Sequence, residues 1–256
     1  MSDPRVANSG RLRLVALLLV AIMPSSIACS FYRWFFGYKI GKRVKLGFSI
    51  IDAAKCTIED DVRIGHLNYF AGVNRLSIGD HARIGILNMF YGGEEIRLGR
   101  YCTVLRLNEI TSIREPDVVN EIDQRLLIGD GSMIGAWHKI DFTDRVEFGK
   151  CVILGGRNSS LWTHNRQATK DIIIGDNTYL GSEIRMAPGS RVPANCIVGI
   201  GSVVTKKFFT EHKLIAGVPA KVVSDLNEEM RFLTQQKTRT DLPDEIQKGP
   251  IGSKIS

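Results

Sequence analysis

The 256 residues suffice for one large domain or two small ones, and 44% hydrophobic with 24% charged residues is ordinary for a folded soluble chain. The net charge of +7 is confined to the N-terminus: residues 1–50 carry eight positive side chains against Asp3, and residues 51–256 carry 26 of each sign. A neutral body argues against a nucleic-acid groove there, and the basic end calls for an anionic surface such as lipid headgroups.

The chain opens with an apolar run. From Leu14 to Tyr32 there is no charge, and "LVALLLVAIM" is strongly hydrophobic. A cleaved signal would have this basic start and short apolar run with small residues near a cut site, and "SIAC" (26–29) is similar to a lipoprotein cleavage site except that Ser26 stands where an aliphatic residue is wanted. A membrane span needs about 20 apolar residues, and Pro24, Ser25, Ser26 and Ser30 weaken the second half. The favoured expectation is a helix or hairpin lying in the membrane interface, followed by the aromatic "FYRWFF". Positive groups on both sides keep the following body on the cytoplasmic face. The bland alternative is a cap packed on the end of the body.

From residue 37 the sequence keeps time. Aliphatic residues, most of them followed by glycine, recur in pairs six apart: Ile40 and Leu46, Ile58 and Ile64, Ile78 and Ile84, Leu98 and Val104, and onward to Ile174 and Leu180. After Ile174 the count is strict, with Leu180, Met186, Val192, Val198 and Val204 at steps of six. A helix would give 3.6 and an alternating strand 2. Six means one short strand and one corner per unit, so three units close a triangular coil of a parallel β-helix. The residue two before each aliphatic position also points inward and must be modest in size. Those residues are Ile172, Thr178, Ile184, Ser190, Cys196 and Ser202, with Cys56 and Cys102 in the same slot. Those three cysteines read as small core fillers, and the five cysteines, odd in number and scattered, argue for a reducing compartment rather than disulfides or zinc ligands.

Four residues beyond Ile64, Ile84, Val104 and Leu154 stand Asn68, Asn88, Asn108 and Asn158, and beyond Ile134 stands His138. Stacked asparagines pair their amides along the coil axis, so this series predicts a ladder with His138 as one structural rung. Residues in excess of 18 per coil fall after the second hexapeptide, which collects the insertions at one corner. The longest are "EITSIREPDVVNEIDQR" and the segment "SSLWTHNRQATKD" that holds His164. Loops gathered on one edge of a solenoid are where binding is expected. After Val204 the rhythm stops, "EEMRFLTQQ" reads as a short helix, and "DLPDEIQKGPIGSKIS" looks loose. The resulting division is an apolar N-terminal segment (1–36), a β-helix (37–209) and a C-terminal extension (210–256).

The period, together with "IIIGDNTYLGSEIRMAPGSRVPANCIVGIGSVVTKKF" and "LIAGVPAKVV", resembles the hexapeptide-repeat acyltransferases. The branch it is most similar to is the sugar O-acetyltransferases of bacterial polysaccharide and capsule synthesis. The resemblance implies a left-handed, all-β coil, a homotrimer, and acetyl-CoA as co-substrate in a cleft between neighbouring coils. It implies no metal and no permanently bound cofactor. The family's catalytic histidine precedes the closing "IGDN" block in an inserted loop, and His164 in "WTHN" holds that place. Asn165 follows where the family frequently has Asp, which leaves carboxylate support of the imidazole in doubt. Gly181, Ser182, Gly199 and Gly201 match positions lining the pantetheine arm, and Lys206 and Lys207 match basic groups near the coenzyme phosphates.

The chemistry needs those residue types in any case. A neutral sugar hydroxyl attacks a thioester poorly unless a base takes its proton, and imidazole does this near neutral pH. Trp162 is either a platform for a sugar face or a pin for the loop, and Asn158 is either a ladder rung or a support for His164. Two other classes remain open. A metal-dependent enzyme of this fold needs three converging histidines, and His66, His81, His138, His164 and His212 include no close pair. A non-enzymatic scaffold or sugar-binding protein at the membrane would need neither the His164 loop nor the closing block.

Overall fold

The computed structural model describes residues 4–113, 121–167 and 169–246, with side chains from residue 12 onward. The middle of the first long insertion and the last ten residues of the tail lie outside these.

The period of six builds what it predicts. Short strands line three faces of a left-handed parallel β-helix of about eight turns. On the second face Leu46 registers on Ile64, Ile64 on Ile84, and Ile84 on Val104, so like positions stack one coil above another. The inward aliphatic column is buried from Leu46 onward, as are Cys56, Cys102 and Cys196 in the small slot. Phe70 and Phe90 stack with ring centroids 4.4 Å apart inside the prism. All five cysteines are free and buried. Desolvation pushes the Cys56 and Cys102 thiols up to about 12, which keeps both protonated at neutral pH.

The glycine that follows many of these aliphatic residues has a steric reason. A Cβ on Gly85 would stand 1.9 Å from the Leu105 carbonyl oxygen of the next coil. Backbones stacked about 4.8 Å apart leave no room for it at a corner.

Two corners of the coil are tight, and the third takes the insertions until the strict coils at the end, where Met186 and Val192 are again six apart. The corner between the second and third faces uses one left-handed residue per coil: Leu67, Leu87 and Leu107 at φ 59°, then Trp137 and Asn158 at φ 62°. Long insertions gather at the corner after the third strand, so they share one edge as expected, although they follow the third hexapeptide rather than the second. Strand Glu109–Thr111 leads into the first and Ser160–Trp162 into the second.

The polar ladder forms, with one rung reassigned. Asn88 Nδ2 donates to Asn68 Oδ1 and Asn108 Nδ2 to Asn88 Oδ1, each at 2.9 Å. His138 N–H donates to Asn108 Oδ1 at 2.9 Å, and Ser159 N–H donates to His138 Nδ1 at 3.1 Å. The rung after His138 is therefore Ser159, not Asn158, which is exposed. The cause is one extra residue: a register shift beyond Ile134 pairs Ala136 with Arg157, with Gly156 at φ 60°. That bulge moves Asn158 onto the left-handed corner position and Ser159 into the ladder.

The N-terminal segment folds into two helices, α1 (Pro4–Ala21) and α2 (Ser25–Phe35), parted at Pro24. Their inner sides bury Leu17, Val20, Ala28, Cys29 and Tyr32 over the first coil. Side chains then satisfy backbone groups that no earlier coil can pair. The Tyr32 hydroxyl accepts Ile51 N–H (3.1 Å), the Ser25 hydroxyl accepts Leu46 N–H (2.8 Å), and Arg33 donates to the Ile40 and Gly41 carbonyls. An open sheet edge is thereby closed without a further strand. The segment is thus a cap on its inner side. Its outer side leaves Leu12, Leu14, Val15, Leu18, Leu19, Ile22, Trp34 and Phe35 exposed. Among the described residues no helix is long and apolar enough to cross a membrane.

At the other end, Lys213–Gly217 and Ala220–Asp225 form an antiparallel hairpin on the last coil. The expected short helix is α3 (Glu228–Gln235), capped by Asn227, whose side chain accepts Met230 N–H at 2.8 Å. The stretch beyond it, read as loose, is packed as far as Ile246. Leu242 and Ile246 are buried against Cys151, and Arg239 donates to the His81 carbonyl at 2.7 Å. Its apolar residues are too few to show a period.

Candidate active site

His164 stands on an excursion between the third and first faces. Thr163 fixes its base: buried, it donates through Oγ1 to the Asp141 carbonyl (3.0 Å) and accepts Asp144 N–H (3.0 Å). Its own carbonyl accepts Lys170 N–H at 2.8 Å, and His164 bridges Thr169 in antiparallel fashion. Asn165 Oδ1 accepts Gln167 N–H at 2.8 Å, which turns the tip.

A carboxylate that sequence reasoning missed meets the imidazole. His164 Nδ1 lies 3.4 Å from Asp141 Oδ2. Asp141 comes from the preceding coil, where it registers on Trp162, two residues before His164. Its side chain is only 7% exposed, whereas that of His164 is 29% exposed. The other oxygen, Oδ1, accepts the Thr143 N–H (2.9 Å) and the Thr143 hydroxyl (2.6 Å), which locks the carboxylate in place. A local signal was present in "DFT", since Asp often accepts from the backbone two residues on. It shows its use only when the coil is counted and position 141 falls beneath position 162. The support absent at Asn165 is thus supplied across the coil.

This arrangement sets the tautomer. With Nδ1–H directed to Asp141, Nε2 is the ring nitrogen left to accept a proton. His138, in contrast, is 1% exposed, and its Nε2 points toward the Leu154 carbonyl without forming a proper hydrogen bond. Burial lowers its pKa from 6.5 to about 4, so it stays neutral and structural.

The remaining candidates separate by corner. Trp162 is 39% exposed on the outer third face, with Lys139 Nζ 5.1 Å from its ring centroid. Asn158 lies at the far end of the same strand, on the second-to-third corner, and makes no contact with His164. Its carbonyl accepts from Arg185. Gly181, Ser182, Gly199 and Gly201 occupy that second-to-third corner in the last coils. Lys206 and Lys207 follow the third strand, on the His164 edge. Lys206 Nζ sits 5.4 Å from the Phe208 ring centroid, and Lys207 lines a cleft of about 430 Å³ with Arg145, Thr169, Lys170, Asp171 and Gly189. One chain therefore brings together His164, Asp141 and Trp162, sets Lys207 two coils further along the same edge, and holds the glycine group a face away.

The fold and its register define the class: a parallel β-helix of stacked hexapeptide coils. Within it, the chain is similar to proteins named as acetyltransferases. It is 37% identical over 57 residues to the galactoside O-acetyltransferase of Escherichia coli (strain K12), which is 22% of this chain and 28% of that protein. The polySia specific acetyltransferase NeuO is 18% identical, with 73% of this chain and 85% of that one covered at a TM-score of 0.39. The maltose O-acetyltransferase from Clostridium difficile 630 is 15% identical, with 88% and 90% covered at a TM-score of 0.30. The chain spans less than a third of the length of the first curated relatives it matches. No family model matches it.

Proposed function

We propose that the protein transfers an acetyl group from acetyl-CoA to a hydroxyl of a sugar in a bacterial polysaccharide, capsule or glycolipid pathway. The observation behind this reading is the His164–Asp141 pair, with one ring nitrogen held by a buried carboxylate and the other open. Nε2 takes the proton of the acceptor hydroxyl as its oxygen attacks the thioester carbonyl. Asp141 offsets the charge on the imidazolium. The tetrahedral intermediate collapses with cleavage of the C–S bond, and Nε2 returns the proton to the departing thiolate. The balance is one ester and one free thiol per turnover. A base of this kind supplies roughly 10²–10⁴-fold, and holding the two substrates together supplies the rest. Trp162 offers a stacking surface to the acceptor beside that base.

A homotrimer fits the separation of the candidates. The glycine corner and the His164 edge lie a strand apart on one prism, up to about 20 Å. Two neighbouring copies set corner against edge and place the pantetheine arm, bound by Gly181, Ser182, Gly199 and Gly201, beside His164. Lys206 and Lys207 then meet the coenzyme phosphates.

The α1–α2 cap rests on an anionic membrane surface at its cytoplasmic side. Its outer side is apolar, residues 14–32 hold no charge before Arg33 interrupts the aromatic run, and Lys39, Lys42 and Lys45 follow. Incubation of the purified protein with acetyl-CoA and candidate glycans, read as released thiol, tests the activity. Full transfer by His164→Ala refutes the assigned base. Introducing Glu at Leu18, Leu19 and Ile22 spares the buried side of α1 and is expected to abolish sedimentation with anionic vesicles; unchanged sedimentation refutes the membrane contact.

A further inference from the structure

The cap and the catalytic loop sit at different heights along one axis, which bears on what the acceptor is. This step rests on the acetyl-transfer and membrane readings above. Helix α1 packs on strand Ile50–Ile58 and on α2, and α2 packs on the first two strands, Lys39–Ile40 and Lys45–Leu46. The pair thus covers the end of the prism, and its exposed apolar side chains belong to the layer outside the first coil.

From that coil the third face climbs by register. Ile50 pairs with Tyr69, Tyr69 with Met89, Met89 with Glu109, Glu109 with Lys139, and Lys139 with Ser160. Five steps of about 4.8 Å raise the His164 strand about 24 Å above the first coil. The helix layer adds about 10 Å, and burial of its apolar side into the interface takes back about 5–10 Å. His164 therefore works about 25 Å from the headgroups. The outer third face between the two levels carries Tyr69 and Tyr91, and the row of Tyr91, Thr111 and Asp141 ends beside Trp162. Such a face suits sugar rings, with aromatic surface and hydroxyls in one line.

We infer that the acceptor is an extended glycan held by a membrane lipid and acetylated several sugars away from that lipid, not a short glycolipid headgroup. A headgroup sugar lies at the bilayer surface, where His164 does not reach. A free sugar gains nothing from an enzyme fixed to the membrane, whereas a lipid-linked chain is concentrated there and extends along the rising face.

Two measurements test this. Because the five native cysteines are buried, a dye attaches selectively to Lys55→Cys, Arg97→Cys or Arg191→Cys, exposed positions at increasing height on the first face. On phosphatidylglycerol vesicles doped with an acceptor-labelled lipid, energy transfer is expected to fall in that order. Equal transfer from all three means that the prism lies flat, and it overturns the inference. In the second measurement, membranes of the source cells are incubated with the protein and radiolabelled acetyl-CoA, then fractionated by glycan size. Label is expected in the long-chain fraction. Label in short glycolipids or small soluble sugars overturns this inference but leaves acetyl transfer standing. No label in any fraction, with the energy-transfer gradient intact, overturns the acetyl-transfer reading and this inference with it.

Discussion

His138 and His164 stand on adjacent coils, at opposite ends of the third face, and differ in nearly every respect that governs an imidazole. His138 sits at a tight corner that repeats with every coil, where a rung accepts from one backbone amide and donates its own to the rung below. His164 sits at the open corner, where the repeat is interrupted, beside a buried carboxylate. The tight corner uses histidine as a shape. The open corner presents a partly exposed imidazole beside that carboxylate, as the proposed base requires. Where the repeat is kept, residues serve the stack; where it is broken, the chain has freedom to place a base.

Several changes sharpen that contrast. The largest expected effect is at the open corner, where His164→Ala is expected to lower acetyl transfer by roughly 10²–10⁴-fold with the melting temperature unchanged. Asp141→Asn is expected to cost about 10²-fold, less than the roughly 10⁴-fold loss of an Asp-to-Asn change in a tight serine-protease triad, because the Nδ1 contact is long at 3.4 Å. The pH–rate profile checks this role. Removing a carboxylate that supports the base shifts the acid-side limb of the profile, where a base gains its active form, whereas a purely structural loss lowers the whole curve.

Within the stack the effects are on stability. Gly85→Ala sets a methyl 1.9 Å from the Leu105 carbonyl oxygen, and the coil spacing cannot open locally, so a loss of about 3 kcal/mol is expected in denaturant titration. At His138 burial lowers the pKa to about 4, while the unfolded chain keeps about 6.5. Between these values the unfolded state binds a proton that the folded state does not. The contribution is therefore whole above pH 6.5 and is lost as pH falls toward 4, by up to about 3 kcal/mol. Denaturant titrations at pH 7 and pH 4.5 read the difference. His138→Asn, which continues the asparagine ladder, is expected to change stability little at pH 7 and to shrink that acid loss; an undiminished loss assigns it to another group.

The legibility of this protein follows the same division. The inward column, the small slot and three of the cysteines could be read because a prism imposes one environment every six residues. The inserted loop that carries His164 could be read because it interrupts that rhythm next to a recognisable closing block. Asp141 could not, because its partner is 23 residues away and the pairing exists only when two coils are in register. Asn158 was misplaced for a related reason. A one-residue bulge at Gly155 and Gly156 moves every following residue of the third face by one, so its inward position is Leu161, seven after Leu154 rather than six.

What the sequence by itself determined is the coil, its three faces and the corner at which function is expected, since a periodic burial demand is written residue by residue. What only the tertiary structure decided is how separate turns meet. The carboxylate beneath the imidazole, the helix pair closing the open edge with Tyr32, Ser25 and Arg33, and the tail buried beside Cys151 are all of this kind. These contacts join residues far apart along the chain, and their energies depend on distances that no local pattern encodes.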